Sequence, residues 1–211
     1  MRHAFRLSVI LLMALFTLSA AVQLTAQNYQ QNFNAISTSG LSDSWTPYGA
    51  VSSDYWQVQG NALNTGDGDN YDPGLTWFAL EEPGSSSWGD YTTTVDVEMQ
   101  QEIGLVALAS RWVDNQNFYY ASDDVVRVPG SSQLIKLASI QKVIDGRTVD
   151  LANREVTGSS TIPDIHEGEL AEFEFRVSGS DLSFWINGQL IVSATDSDFS
   201  QGSIALGQSY N

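Results

Sequence analysis

The sequence predicts an all-β fold, a sandwich of two antiparallel sheets, and three observations carry that expectation. Hydrophobicity alternates with period two through most of residues 169–207. Leu170, Phe173, Phe175 and Val177 give one strand, Leu182, Phe184 and Ile186 mark one face of the next, and Leu190, Val192 and Ala194 give a third. Asn187-Gly188 and Asp145-Gly146 are two-residue hairpin signals, because both central positions of a type I′ turn need φ > 0. Past the N-terminal leader, no stretch sustains a 3.6-residue apolar period over a helical length. About a dozen short strands with local connections fit two packed antiparallel sheets.

Taken in order, Phe33, Trp45 and Tyr48 are spaced through a turn-rich entry segment. Residues 55–63 read as strand, Gly60-Asn61 turn and strand, and 66–74 form an acidic loop. A short apolar strand covers 75–80, a loop covers 81–89, and 91–99 alternates with β-branched residues at most positions. Apolar runs at 104–113 and 117–124 flank Asp114-Asn115-Gln116 as a hairpin with little polar face. A two-residue turn at Asn115-Gln116 would set Arg111 opposite Tyr120 and Trp112 opposite Tyr119. Residues 134–144 and 147–152 form a hairpin around Asp145-Gly146. The meander 170–194 turns at Ser178-Gly179-Ser180 and at Asn187-Gly188, and a returning strand at 203–206 follows an acidic linker.

The chain of 211 residues holds 9 Lys+Arg against 25 Asp+Glu, a net charge of −16, and no Cys. So acidic a surface repels nucleic acid and anionic membranes, and the acidity serves solubility or feeds divalent-cation sites. Without cysteine there are no disulfides and no thiolate zinc sites, so stability rests on the core. The first 26 residues read as a secretion signal: Arg2 and Arg6, an apolar run from Leu7 to Ala20, then small residues allowing cleavage after Ala21 or Ala26. At about 14 residues that run is short for a bilayer span, and no later segment could cross one. Cleavage would take the net charge from −16 to −18 and leave 28–211 as a single exported β-sandwich domain, secreted, periplasmic or held at the cell surface.

The order of signals resembles a known group. Ser44-Trp45 is followed by WQVQGNAL, DYTTTVDVEM, GLVALASRWVDNQNFYYAS, KVIDGRTVDLA, EFRVSGSDLSFWINGQLIVSATD and QGSIALG. In this order and spacing, from about Phe33 to Gly207, the chain resembles the concanavalin A-like lectin/glucanase superfamily, and within it the laminin-G-like bacterial modules. The resemblance implies a jelly roll whose concave sheet meets a polysaccharide or other glycan, with calcium common near one edge. It also implies one more strand beyond Gly207. The domain is therefore expected to lack its last strand, to leave an unpaired edge with residues 28–40 poorly tied down, and to belong with further domains of a larger protein. The superfamily's retaining glucanases carry E-x-D-x-x-E on one strand. Here Asp96 and Glu98 share a face, but no acid occupies the leading position and Glu102 falls at the strand's end.

Candidate sites follow. His166, the one histidine outside the leader, lies in a loop, and no nucleophile-elbow motif appears; this excludes His-cluster metal chemistry and a Ser–His triad. No catalytic residue is assigned, with Asp96 and Glu98 as the alternative pair for a glycoside hydrolase, or Tyr and Arg of the concave sheet for a polysaccharide lyase. Arg111, Trp112, Tyr119, Tyr120 and Trp185 are the candidate carbohydrate-binding residues, because a pyranose packs its C–H face on an aromatic ring while Arg, Asp or Asn take its hydroxyls. The competing reading makes the aromatics core and pairs Arg111 with Asp123, Asp96 or Glu98. Trp45, Trp56 and Trp77 are expected in the core. Asp67, Asp69 and Asp72, with Asn70, supply oxygen ligands of the kind calcium takes, and Asp196 with Asp198 forms a second acidic turn. The reading reached from sequence is an exported, non-catalytic carbohydrate-binding or adhesive module.

Overall fold

The computed structural model describes residues 3–6, 29, 44–49, 56–59, 62–65, 75–98, 104–127, 130–131, 134–156 and 168–209. Its strands are β1 (His3–Arg6), β2 (Trp45–Tyr48), β3 (Trp56–Gln59), β4 (Ala62–Thr65), β5 (Thr76–Leu80), β6 (Tyr91–Glu98), β7 (Gly104–Asp114), β8 (Asn117–Arg127), β9 (Leu134–Ile144), β10 (Arg147–Val156), β11 (Leu170–Ser178), β12 (Asp181–Ile186), β13 (Gln189–Thr195) and β14 (Ser203–Ser209). The one helical piece among the described residues is a 3-10 turn, Ser85–Ser87. Among the described residues the strands form two seven-stranded sheets, in the orders β13-β12-β11-β6-β1-β4-β3 and β10-β9-β8-β7-β14-β5-β2. They are called here the β6 sheet and the β7 sheet.

The turns form where the sequence demands them. Asn187 and Gly188 have φ of 49° and 74°, Asp145 and Gly146 of 50° and 73°, and both hairpins close in the expected register. The meander β11-β12-β13 is contiguous in the β6 sheet. Between the sheets lies the main core, with Val95, Val97, Phe173, Phe175, Phe184 and Ile186 from one side and Phe78, Leu80, Leu108, Tyr119, Ile140 and Leu206 from the other. Trp45 joins it, stacked 5.2 Å from Phe78, as expected of a core residue. Trp77 is also buried, but against the opposite face of the β7 sheet.

Three features depart from the sequence reading. The strand after the meander does not return beside it: β14 crosses to the other sheet and inserts between β7 and β5, the linker 196–202 spanning the roughly 10 Å between packed sheets. Residues inside the expected leader pair as β1 between β4 and β6, with Phe5 in register with Leu63 and Val97, so the sheet of the uncleaved chain reaches beyond 28–211. Tyr29 is described from the 28–40 segment, its ring 5.9 Å from that of Trp88; the rest of that segment, the 66–72 loop and His166 lie outside the described residues.

The third departure is a bulge in β7. Ser110 pairs with Tyr119 and Asp114 with Asn117, so Ala109, not Arg111, stands opposite Tyr120. Against β14 the slip is one residue, Ile204 pairing with Ser110 and Ser203 with Trp112. Arg111 is the extra residue and takes φ 49°, a left-handed conformation that costs a non-glycine residue about 1–2 kcal/mol. Ser110 faces the core as Val106 and Leu108 do, 3.4 Å from Thr93 of the β6 sheet, and the inserted residue then reverses the alternation so that Trp112 emerges on the outer side.

Candidate functional site

The bulge builds the outer face of the β7 sheet. Trp112 stacks on Phe118 at 4.3 Å, and Trp77 lies against both, 5.7 Å from Trp112 and 4.9 Å from Phe118, with Tyr120 5.3 Å away on its other side. Ala79, Ala107, Ala109 and Ala205 form the bed beneath these rings. At Gly207 a Cβ would stand 2.5 Å from the Trp77 ring, so that ring lies down on the β14 backbone. Tyr48 closes one side, its ring 5.6 Å from Trp112 and its hydroxyl donating to Glu81 at 2.6 Å. That bond, with burial and the Glu81 charge, pushes the hydroxyl up to about 12.

The other half of the face, over β8, β9 and β10, is polar. Cross-strand register sets Tyr120, Gln141 and Asp150 in one row and Ser122, Ser139 and Asn153 in the next. Gln141 Nε2 donates to Asp150 Oδ1, and the Ser122 and Ser139 hydroxyls meet at 2.9 Å. Burial pushes the Tyr120 hydroxyl up to about 12, its bond with Thr148 opposing and the charges of Asp150 and Asp124 reinforcing. Asp150, Thr148 and Asn153 are exposed and Gln141 half-buried, whereas Trp112 and Tyr120 are buried. The aromatics are therefore a bed supporting the sheet face, not open stacking platforms.

The five candidate sugar-binding residues do not converge. Trp112 and Tyr120 share the outer face of the β7 sheet. Tyr119 points into the core, fully buried, its hydroxyl donating to Asp196 Oδ1 at 2.5 Å and accepting from Phe199 N at 3.0 Å. Trp185 is on the outer face of the β6 sheet, half-buried, with the Arg176 guanidinium 4.1 Å over its ring. It forms no platform with Trp112, because the two lie on opposite outer faces.

Arg111 is 1% exposed, where a groove role requires partial exposure. Its guanidinium donates to Gly89 O (3.2 Å), Phe199 O (2.8 Å) and Asp90 Oδ1 (3.2 Å), so the internal arrangement is the one adopted, with Asp90 as the carboxylate. Asp90 also accepts from Gly179 N at 2.8 Å, tying the β11–β12 turn to the same cluster. The backbone N–H of Arg111 donates to the Tyr91 hydroxyl at 2.5 Å, and Tyr91 donates to Ser203 O at 2.8 Å. Gly202 packs flat on this bulge: a Cβ there would fall 2.4 Å from the Arg111 carbonyl carbon.

Asp96 and Glu98 share the outer face of the β6 sheet, beside Glu172 and Leu170 of β11 and away from the aromatic bed. At the second acidic turn Lys142 Nζ lies 2.5 Å from both Asp196 Oδ2 and Asp198 Oδ2, putting a side-chain cation where calcium was considered. Asp67, Asp69 and Asp72 lie outside the described residues, and among those described no group of three or more His, Cys, Asp or Glu could hold a metal ion. No helix among them is long and apolar enough to cross a membrane.

No family model matches the chain, and no curated protein matches it in sequence. Solved structures do. The chain is similar to a carbohydrate-binding module, CBM66 from Bacillus subtilis, at 19% identity and a TM-score of 0.57, over 79% of this chain and 91% of that one. It is also similar to a β-glucanase from Bacillus licheniformis, at 11% identity and a TM-score of 0.53, over 85% of this chain and 82% of that one. At these identities the likeness is one of fold: the chain shares with these two structures a jelly-roll sandwich of two antiparallel sheets.

Proposed function

We propose that this protein is an exported, non-catalytic carbohydrate-binding module that takes its glycan on the outer face of the β7 sheet, over β8, β9 and β10. The observation that carries the reading is the ordered polar array there. Gln141, Thr148, Asp150 and Asn153 are presented at strand spacing on a rigid sheet, backed by the buried bed of Trp77, Trp112, Phe118 and Tyr120. Amide and carboxylate groups fixed in this way match sugar hydroxyls, which both donate and accept, without the entropy cost of ordering loops. The solved carbohydrate-binding module of the same fold supports the class of ligand. The non-catalytic part rests on Asp96 and Glu98 standing on the opposite outer face, away from this array.

Retention on immobilised polysaccharides, read beside reducing-sugar release, tests both parts. Replacing Gln141 and Asp150 together by Ala should weaken retention by at least about ten-fold, the scale of one charge-assisted hydrogen bond lost, with the melting temperature nearly unchanged. Undiminished retention would remove the site, and sugar release by the wild-type chain would remove the non-catalytic reading.

A further inference from the structure

The charges of the β7 sheet are sorted by face. Its outer side carries Asp150 and Glu155, with Asp114 and Glu81 near Tyr48 at the far end. The basic residues described on the same strands stand elsewhere. Lys142 is held by Asp196 and Asp198, Arg154 Nη1 reaches Ile191 O on the opposite sheet, and Arg111 is committed to Gly89, Asp90 and Phe199. Lys136 and Arg147 occupy the alternate register positions, paired with Val125 and Ile144, not those of Val143 and Tyr120. Among the residues whose side chains are described, the polar half of the outer face thus presents the carboxylates of Asp150 and Glu155 and no cation.

Resting on the carbohydrate reading above, we infer that this face is built for uncharged polysaccharide and rejects chains bearing uronate or sulfate. A neutral sugar offers hydroxyl protons, and a carboxylate accepts these in short, strong hydrogen bonds. A uronate or sulfate laid along the same rows comes within a Debye length, about 8 Å at physiological salt, of these like charges and finds no arginine or lysine among the described side chains there to receive it. The selection is local to the face and so separable from repulsion by the net charge of the whole chain.

Affinity electrophoresis of the purified chain at low salt tests this in gels containing neutral galactomannan, laminarin or levan, or the polyanions polygalacturonate or κ-carrageenan. The expected result is retardation in at least one neutral gel and in neither polyanion. Two double variants with the same change in net charge then locate the effect, and all four positions are exposed. Asp150→Lys with Glu155→Lys on the β7 face should bring retardation by polygalacturonate on the order of ten-fold above that of Glu172→Lys with Asp181→Lys on the β6 face. Retardation of the wild-type chain by a polyanion, or equal behaviour of the two variants, overturns the inference while leaving carbohydrate binding in place. A wild-type chain retarded in no gel, neutral or anionic, overturns the underlying reading as well.

Discussion

The two outer faces of the sandwich each carry a tryptophan and treat it in opposite ways. On the β6 sheet, burial alternates strictly along β6 and β11, so the outer side is solvated and Trp185 stays half-exposed under Arg176. On the β7 sheet, β5 and β14 are buried at every position, and Trp112 is 5% exposed. The difference lies beneath the rings. Ala79, Ala107, Ala109, Ala205 and Gly207 leave a shallow bed into which large aromatics lie down, whereas Thr92, Thr94, Asp96 and Glu98 hold the β6 outer face open to water. An aromatic residue on a strand becomes a second core or a surface feature according to the size of its cross-strand neighbours.

The sharpest way to break this contrast is to truncate Trp112. As a member of a closed layer, Trp112→Ala should cost about 3–5 kcal/mol in urea or thermal unfolding, the range for a buried aromatic. Arg111→Ala comes next, at about 2–4 kcal/mol, because it leaves Gly89 O, Phe199 O and Asp90 without their buried donor. Arg111→Gly loses the same bonds but relaxes the positive φ, and should be less destabilising than the alanine variant by about 1 kcal/mol. Equal costs for the two would mean that the bulge is not strained. Gly207→Ala must lift Trp77 off β14, so a loss of about 1–3 kcal/mol with a changed near-ultraviolet circular dichroism spectrum is expected.

Much of this architecture was legible. The turns at Asn187-Gly188 and Asp145-Gly146 could be read because those residues tolerate the backbone the turn demands. The hairpin of β7 and β8 misled because Arg111 gives no local sign of φ > 0. The glycine that makes room for the bulge, Gly202, is on β14's approach, far away in sequence. Counting from the Asn115-Gln116 turn therefore put Trp112 on the face of Tyr119, when the inserted residue moves it to the face of Tyr120. A usable signal did exist. The small residues at alternate positions, Ala107 and Ala109 in β7 with Ala205 and Gly207 in β14, mark a face that needs large partners. The polar rows of β9 and β10 were missed for a different reason: Gln141, Thr148 and Asp150 look like ordinary solvated strand positions until register places them beside Tyr120.

A smaller effect belongs to the linker between β13 and β14, where Asp196 meets Lys142 and Tyr119. Burial acts to raise the Asp196 carboxyl, but Lys142 and the Tyr119 hydroxyl outweigh it and hold the group below its ordinary value. A carboxylate depressed in the folded state stabilises at pH above its unfolded value, near 3.9, and that contribution is lost as pH falls through the lower folded value. Tyr119 works in the other direction. Burial first, then its bond to Asp196, pushes it up to about 12, so its contribution is complete below about pH 10 and disappears as pH rises towards 12. Asp196→Asn should flatten the acid limb of a stability–pH curve and shrink the alkaline one. An unchanged acid limb would show that the Lys142–Asp196 pair contributes nothing measurable.

The smallest expected effect is at Trp185, and it sharpens the contrast most directly because the residue type matches Trp112. Trp185 pairs with Glu174 on one side and Leu190 on the other; its ring is covered by Arg176, and its Nε1 donates to Ser183 Oγ at 3.0 Å. Leu190 beside it is 42% exposed, so the ring rests on solvated neighbours and leaves no closed cavity when removed. What is lost is part of its apolar contact and an exposed cation–π contact of about 0.5–1 kcal/mol. Trp185→Ala should therefore cost about 1 kcal/mol, and a double-mutant cycle with Arg176→Ala should return a coupling of roughly 0.5 kcal/mol. Polysaccharide retention should not change. A cost near that of Trp112→Ala would mean that the β6 face is a second closed layer too, and lost retention would move the glycan to this face.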